Sequence, residues 1–254
     1  MDLNFNLSLA YGYKNNSQVA RILTEGWVSE NMFCPRCGNI EIDSFKNNKP
    51  VADFYCPHCG CQYELKSKQK ALGSKIVDGA YDTMIERITS STNPDFFFLS
   101  YTKEFAVNNL ILIPKHFFVP EIIEKRKPLA SEARRAGWTG CNILIDKIPK
   151  QGIIPIIYNG QLLQRSDIVS KTNKSLTLEK KELSTRGWLM DILNCINLIP
   201  NDVFELKEIY LFEDILSRKH PENNNIRAKI RQQLQFLRDK GYLQFLSRGY
   251  YKKL

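Results

Sequence analysis

Two cysteine pairs, Cys34-Pro35-Arg36-Cys37-Gly38 and Cys56-Pro57-His58-Cys59-Gly60, place the tightest constraint on what this 254-residue chain can fold into. Two residues lie inside each pair and 18 residues (38–55) lie between them. A two-residue gap lets both thiolates of a tight turn face one ion, and the glycine that follows supplies the backbone freedom the turn needs. Two such knuckles make a tetrahedral zinc site from Cys34, Cys37, Cys56 and Cys59. All four ligands come from protein, so no position is open for substrate or water and the Zn2+ is expected to be structural. A dithiol redox pair explains one C-x-x-C, but not two at this separation. His58 and Cys61 are near enough to compete and read as bystanders. Cys141 and Cys195 sit among apolar neighbours and read as small core residues.

The second knuckle is flanked by strand-like segments, Lys49 to Tyr55 entering and Gln62 to Ser67 leaving, which together read as a hairpin. Residues two apart on a strand share a face, so Glu64 and Lys66 project together while Leu65 turns to the core. Asp53 on the partner strand is placed to join them. Two carboxylates and an ammonium can hold Mg2+, activate a water beside it and stabilise the charge that develops on a phosphodiester. Asp53, ten residues (54–63), then Glu64-x-Lys66, with Pro50 upstream, fits the loose PD-(D/E)xK nuclease pattern. That pattern is common by chance, and an exposed E-x-K on a strand is usually a solvated face. Its position raises its meaning, because the second knuckle falls inside the Asp53 to Glu64 interval and braces the hairpin.

Beyond Lys66 the pattern predicts a helix from about Ile76 to Ile88, then buried strands at Phe96 to Leu99 and Leu110 to Ile113, bounded by Asn93-Pro94 and Pro114. With the hairpin these make a mixed sheet flanked by helices, an α/β core. Arg134 and Arg135 are suited to gripping phosphates. Trp138, between Gly137 and Gly140, either offers its face to a ligand from a loop or caps the core.

The period changes after about Lys181. Leu183-Ser184-Thr185-Arg186-Gly187 leads into a capped amphipathic helix carrying Trp188, Leu189, Ile192, Leu193 and Ile196. A second helical stretch covers about Leu206 to Arg218. A third helix buries Ile226, Ile230, Leu234 and Leu237 and turns Arg227, Arg231, Gln232, Gln235 and Arg238 to other faces, where they suit reading a DNA groove. Two strands around Ser247-Arg248-Gly249 form a hairpin with a basic tip. Three helices and a hairpin spell a winged helix. The expected division is therefore residues 1–181 for the catalytic domain and 182–254 for the winged helix, which can bind protein instead of DNA.

A formal net charge of +9 favours a polyanion as partner, although many proteins are mildly basic without one. The excess is spread over the chain, since Leu183 to Leu254 carries 12 Lys and Arg against 8 Asp and Glu, or +4. The start Met1-Asp2-Leu3-Asn4-Phe5-Asn6 lacks the form of a signal peptide, and no apolar run approaches the ~18 residues of a membrane span. A cytoplasmic protein without membrane contact is expected, with reduced thiols.

The chain resembles, from end to end, the DpnI type of methyl-directed restriction endonuclease. The resemblance is carried by Asn16-Ser17-Gln18, Ala20-Arg21-Ile22-Leu23-Thr24-Glu25, Cys34-Pro35, Pro50 to Cys56, Glu64-Leu65-Lys66-Ser67-Lys68, Ala133 to Trp138 and Ile230-Arg231-Gln232-Gln233-Leu234-Gln235. It implies a type II enzyme of restriction-modification that cuts double-stranded DNA at GATC when the adenine is N6-methylated, and a protein expected to be monomeric in solution. It implies Mg2+ chemistry at Asp53, Glu64 and Lys66, with Asp53, Glu64 and the Leu65 backbone holding the ion. It also implies that the winged helix reads the same sequence and that Trp138 belongs to the methyl-sensing surface. Departures at Ile40 to Asn47 and Leu144 to Ser170 read as loops and linker. The competing reading is a zinc-ribbon and winged-helix regulator without nuclease activity, with Glu64 and Lys66 a solvated face; a scaffold protein is a third.

Overall fold

The computed structural model describes residues 1–45, 52–180 and 182–254. The chain divides into two compact units, residues 1–146 with 152–176 and residues 147–151 with 177–254. The division falls between Leu176 and Thr177; Lys181, where the sequence changes period, lies outside the described residues.

The first unit opens with α1 (Asn16–Asn31), capped by the Asn15 side chain, which accepts from the Ser17 and Gln18 amides. Its buried residues Leu23, Thr24, Trp27 and Val28 recur at helical spacing and face the sheet. The strands follow as β1 (Asp43–Ser44), β2 (Phe54–Tyr55), β3 (Gln62–Gln69), β4 (Lys75–Ala80), β5 (Asp95–Tyr101), β6 (Val107–Ile113), β7 (Ile123–Lys125), β8 (Gly140–Leu144), β9 (Ile154–Tyr158) and β10 (Gln161–Leu162). Helix α2 (Tyr81–Thr89) lies between β4 and β5, and α3 (Arg165–Leu176) follows β10. Seven strands form a mixed sheet in the order β1-β2-β3-β5-β6-β9-β10, with β3 and β5 parallel and the other pairs antiparallel. Strands β4-β8-β7 form a smaller antiparallel sheet.

Strand β5 is buried over its whole length, as expected of Asp-Phe-Phe-Phe-Leu-Ser-Tyr covered on both faces. Phe97 packs on one face against Tyr63, with ring centroids 4.8 Å apart, in a core shared with Trp27, Phe54 and Leu112. Phe96 faces the other way and stacks on Phe118 at 4.1 Å.

Three expectations need correction here. Of the helix expected over Ile76 to Ile88, residues Ile76 to Ala80 are strand β4, because β-branched Ile76 and Val77 and the interrupting Gly79 suit pairing with β8 better than a helix turn. The stretch Leu144 to Ser170 is not a linker: Ile154 to Tyr158 forms β9 against β6 inside the large sheet, with a register irregularity beside Pro155, which lacks an amide to donate. Only Phe54 and Tyr55 of the strand expected to enter the second knuckle pair as β2, while Lys49, Pro50 and Val51 lie outside the described residues.

In the second unit α4 (Leu183–Leu198), β11 (Val203–Glu205), α5 (Leu206–Tyr210), α6 (Glu213–Lys219) and α7 (Ile226–Asp239) precede β12 (Leu243–Ser247) and β13 (Tyr250–Lys253). Strands pair in the order β11-β13-β12. Ile226, Ile230, Leu234 and Leu237 are buried on α7, and Trp188, Leu189, Ile192, Leu193 and Ile196 on α4. Two details differ from expectation. Ser184 and Thr185 lie inside α4 rather than capping it, and Glu182 occupies the cap with its carboxylate accepting from the Thr185 hydroxyl at 3.3 Å rather than from a backbone amide. The stretch Leu206 to Arg218 breaks into α5 and α6 at Leu211-Phe212, where Phe212 leaves helical geometry at ψ 4°. Among the described residues no helix is long and apolar enough to cross a membrane.

Phe97 is fully buried at the centre of the large sheet. Phe97→Ala is expected to cost about 3–5 kcal/mol, read as a lower urea midpoint for the first unit; a loss below ~1 kcal/mol would show that this core repacks freely.

Candidate metal centre and active site

Both knuckles fold the same way. The Gly38 amide donates to the Cys34 carbonyl at 2.8 Å and the Gly60 amide to the Cys56 carbonyl at 2.9 Å. The return bonds, Cys34 amide to Asn39 carbonyl and Cys56 amide to Cys61 carbonyl, are both 2.8 Å. Closing so tight a turn needs positive φ at the glycine, +77° at Gly38 and +72° at Gly60. The four sulfurs of Cys34, Cys37, Cys56 and Cys59 all lie within 4.8 Å of one another, with Cys34 to Cys59 and Cys37 to Cys56 at 3.6 Å. Zinc–sulfur bonds of about 2.3 Å at tetrahedral angles need sulfurs about 3.8 Å apart, so the group fits a zinc ion. Cys61 lies beside Cys59 but outside the four-sulfur group and accepts from Arg36 Nη1 at 2.9 Å, and His58 is exposed outside the cluster. Cys141 and Cys195 are buried.

Besides the second knuckle itself, Tyr63 links the cysteine cluster to the hairpin. Tyr63 on β3 is fully buried and its hydroxyl lies 3.0 Å from Cys34 Sγ, while its carbonyl accepts from the Asp53 amide at 3.0 Å. Two residues further, the Leu65 amide donates to Asp53 Oδ2 at 2.7 Å. Asp53 thus bonds to β3 through both backbone and side chain, beside Glu64.

Glu64 and Lys66 share one face of β3, and Lys66 Nζ meets Glu64 Oε1 at 2.6 Å. Lys66 also pairs with Asp78 of β4, and Arg87 Nη2 of α2 meets Glu64 Oε2 at 2.9 Å. These four side chains are only 12–18% exposed. Burial lowers the affinity of Lys66 for its proton, but Glu64 and Asp78 outweigh it and hold the pKa above the ordinary lysine value, so Lys66 stays an ammonium. Asp53 moves up: burial dominates, Glu64 and Glu25 add repulsion, and the Leu65 amide opposes them. Glu25 comes from α1, where it pairs with Arg21 at 2.7 Å, and Thr24 beside it donates to Ser67 Oγ of β3 at 3.2 Å.

Asp78, Arg87 and Glu25 were invisible in the sequence as members of this cluster. Placing Asp78 and Arg87 on one helix hid that they approach β3 from two elements. The signal that existed was the strand-like Lys-Ile-Val-Asp run.

The residues expected to contact DNA are differently placed. Arg134 is exposed on the loop before β8, Arg135 lies 5.0 Å from the Trp138 ring, and the half-buried Trp138 folds over Gly140 so closely that a Cβ there would sit 2.9 Å from the indole. On α7, Arg227 pairs with Glu213 at 2.7 Å and Arg231 Nη1 donates to the Tyr210 hydroxyl at 2.9 Å. Gln232 and Gln235 are exposed, as is Arg248 at the hairpin turn, whereas Gln233 is buried.

Residues 1–181 match the model of the Dam-replacing family, the DpnI family, and residues 184–253 match that of the Dam-replacing helix-turn-helix domain.

Cys56→Ser is expected to lose bound zinc, measured by metal content, and with it the hairpin, measured by proteolysis around residues 45–62; full zinc retention would show that three thiolates suffice. Asp53→Asn tests the buried carboxylate. Its folded pKa is raised, so the wild-type fold binds the proton more tightly than the unfolded chain and loses stability as pH rises through that value. The neutral variant escapes this loss. It is expected to melt higher than wild type at pH 8, by roughly 2–4 °C per kcal/mol, with the gain shrinking as pH falls. A variant that melts lower at pH 8 would mean the Leu65 bond outweighs burial.

Proposed function

The chain belongs to the Dam-replacing family of restriction endonucleases, and from that premise we propose that it hydrolyses double-stranded DNA at GATC when the adenine carries an N6-methyl group, with Asp53, Glu64 and Lys66 as catalytic residues of a PD-(D/E)xK core. The observation that carries this reading is the Leu65 amide bond to Asp53, which sets a second carboxylate beside the Glu64–Lys66 pair on one braced strand.

The donor set suits Mg2+, a hard cation that takes carboxylate oxygens and keeps several waters. Asp53 and Glu64 would hold it, with the Leu65 backbone carbonyl. Repulsion between Asp53 and Glu64 and the burial of Asp53 are the costs that a bound dication offsets. Mg2+ bound there would polarise the phosphoryl oxygen and acidify a water. Lys66 remains protonated, so it serves as a fixed positive charge for the phosphorane-like transition state rather than as a base. Arg87 and Asp78 hold Glu64 and Lys66 in place from α2 and β4. In the reaction a water oxygen bonds to phosphorus and gives up its proton to solvent as one P–O ester bond breaks, and the departing alkoxide takes a proton from solvent.

Selecting for a methyl is hard, since burying one such group yields about 0.8 kcal/mol and rarely discriminates by more than about 1–3 kcal/mol. A palindrome displays two N6-methyl groups in the major groove, and two reading units multiply their preferences. In this reading Trp138 with Arg134 and Arg135 serves the catalytic unit, while Gln232, Gln235, Arg227, Arg231 and Arg248 serve the second unit as a winged helix.

Incubation with Mg2+ is expected to cut plasmid from an adenine-methylating host and spare plasmid from a non-methylating one. Asp53→Ala should abolish cutting and keep binding, and deleting residues 177–254 should lower both affinity and methyl preference. Binding without cutting of either plasmid would instead favour a regulator, and unchanged selectivity of the truncation would confine methyl reading to the first unit.

A further inference from the structure

Each of the two carboxylates placed for a metal ion has one oxygen committed inside the protein. Asp53 Oδ2 accepts from the Leu65 amide at 2.7 Å. Glu64 Oε2 forms an ion pair with Arg87 Nη2 at 2.9 Å and is sealed from solvent. The Glu64 side chain is 16% exposed, so its open part lies away from Oε2. The other oxygen, Oε1, meets Lys66 Nζ at 2.6 Å. Lys66 also pairs with Asp78, so it keeps an acid beside it when it gives up Oε1. Arg87 therefore leaves Glu64 one oxygen to offer.

The backbone under Arg87 is fixed at both ends of α2. The helix starts at Tyr81, directly after β4, where the Tyr81 amide donates to the Thr139 carbonyl at 3.0 Å. Met84 and Ile88, on either side of Arg87 in sequence, are buried. Beyond the last turn Ser90 donates to the Arg87 carbonyl twice, from its amide at 3.1 Å and from its hydroxyl at 2.8 Å. A cation in that turn is also favoured by the helix dipole, and a guanidinium stays charged at any working pH. The cover on Oε2 is thus a built feature of the β4–α2 segment, which also brings Asp78 to Lys66.

Mg2+ and Ca2+ ask different things of such a carboxylate. Mg2+ demands a near-ideal octahedron and keeps several waters, whereas Ca2+ takes about 6–8 oxygens at longer range and accepts both oxygens of one carboxylate. Two acids that present one oxygen each supply what Mg2+ uses and deny Ca2+ the additional ligands.

We propose that Arg87 sets the metal preference of the site by keeping Glu64 monodentate, so that the site favours a small octahedral dication over Ca2+. This rests on the Mg2+-dependent nuclease reading above. Arg87 is a positioning residue that acts through Glu64. A purely structural ion pair would stabilise the fold without changing which ion is bound.

The test uses the full zinc-loaded chain without DNA, as wild type, Arg87→Met, Asp78→Asn and Asp53→Ala, each checked for zinc content and melting temperature. Hard dications leave a thiolate-bound zinc in place. Mg2+ and Ca2+ are titrated separately by calorimetry and the ratio of their affinities is compared, because removing one positive charge strengthens the binding of both. Arg87→Met is expected to raise Ca2+ affinity relative to Mg2+ on the order of tenfold as a further oxygen becomes available. Asp78→Asn breaks the neighbouring pair and leaves Oε2 covered, so it should keep the wild-type ratio. An unchanged ratio in Arg87→Met, or an equal rise in Asp78→Asn, overturns the proposal. Infrared difference spectra of protein labelled with 13C at its glutamate carboxyls give a readout on wild type alone. The gap between the antisymmetric and symmetric carboxylate stretches is wide for one bound oxygen and narrow for two. Wild type should show the wide gap with both ions and Arg87→Met the narrow gap with Ca2+; a narrow gap for Ca2+ in wild type overturns the proposal even where Arg87→Met does not fold. Absence of any Asp53-dependent binding also overturns it, and joined with no cutting of methylated plasmid it sinks the nuclease reading as well. Asp53-dependent binding and normal cutting with an unchanged ratio remove the role of Arg87 alone.

Discussion

The Leu65 amide donates across the hairpin to the Asp53 carboxylate, and two residues earlier the Tyr63 hydroxyl meets the Cys34 thiol. Strand β3 is therefore tied at neighbouring positions to the zinc cluster and to the first carboxylate, while Glu64 between them faces the other way. An acidic residue that must meet a cation and a phosphate within a few tenths of an ångström needs such support, because a displacement of 1 Å forfeits much of the gain from positioning. A cluster of four cysteines that fits a zinc ion is a compact way to obtain it. The hairpin is short, since β2 pairs over only Phe54 and Tyr55, and a two-residue ladder has little stability of its own.

Charge is the second organising influence. Glu64, Lys66, Asp78 and Arg87 are each largely buried and bonded to one another from three elements, β3, β4 and α2. Removing one partner from such a group leaves an uncompensated charge, which costs more than the pair itself contributes. The network thus holds each of these side chains in a defined orientation. Asp53 stands apart from it, paired with an amide rather than a cation, and is the carboxylate whose ionised form the fold disfavours.

The second unit supplies a different kind of surface. Its α7 spends Ile226, Ile230, Leu234 and Leu237 on the core and leaves Gln232 and Gln235 in solvent, while Arg227 and Arg231 are drawn back onto Glu213 and Tyr210. Those two arginines lie over the preceding helices in the free protein, so contact with DNA requires them to exchange partners. Such exchange is inexpensive at exposed ion pairs, which contribute little by themselves.

The sequence by itself indicated the four-cysteine cluster, the shared strand face of Glu64 and Lys66, and the buried face of α7, because each depends on local spacing: a two-residue gap fits one ion, a two-residue step shares a strand face, and a helical period shares a helix face. It also carried enough motif identity to indicate the family. What it left open depended on long-range pairing. Residues Ile76 to Ala80 could pass for a helix until β8 (Gly140–Leu144), far along the chain, took them as a partner, and Ile154 to Tyr158 could pass for a linker until β6 paired with it. Asp78, Arg87 and Glu25 became neighbours of the candidate site only when β4, α2 and α1 packed against β3. Proximity of charges from separate elements is a property of the packed chain, since no local period encodes it.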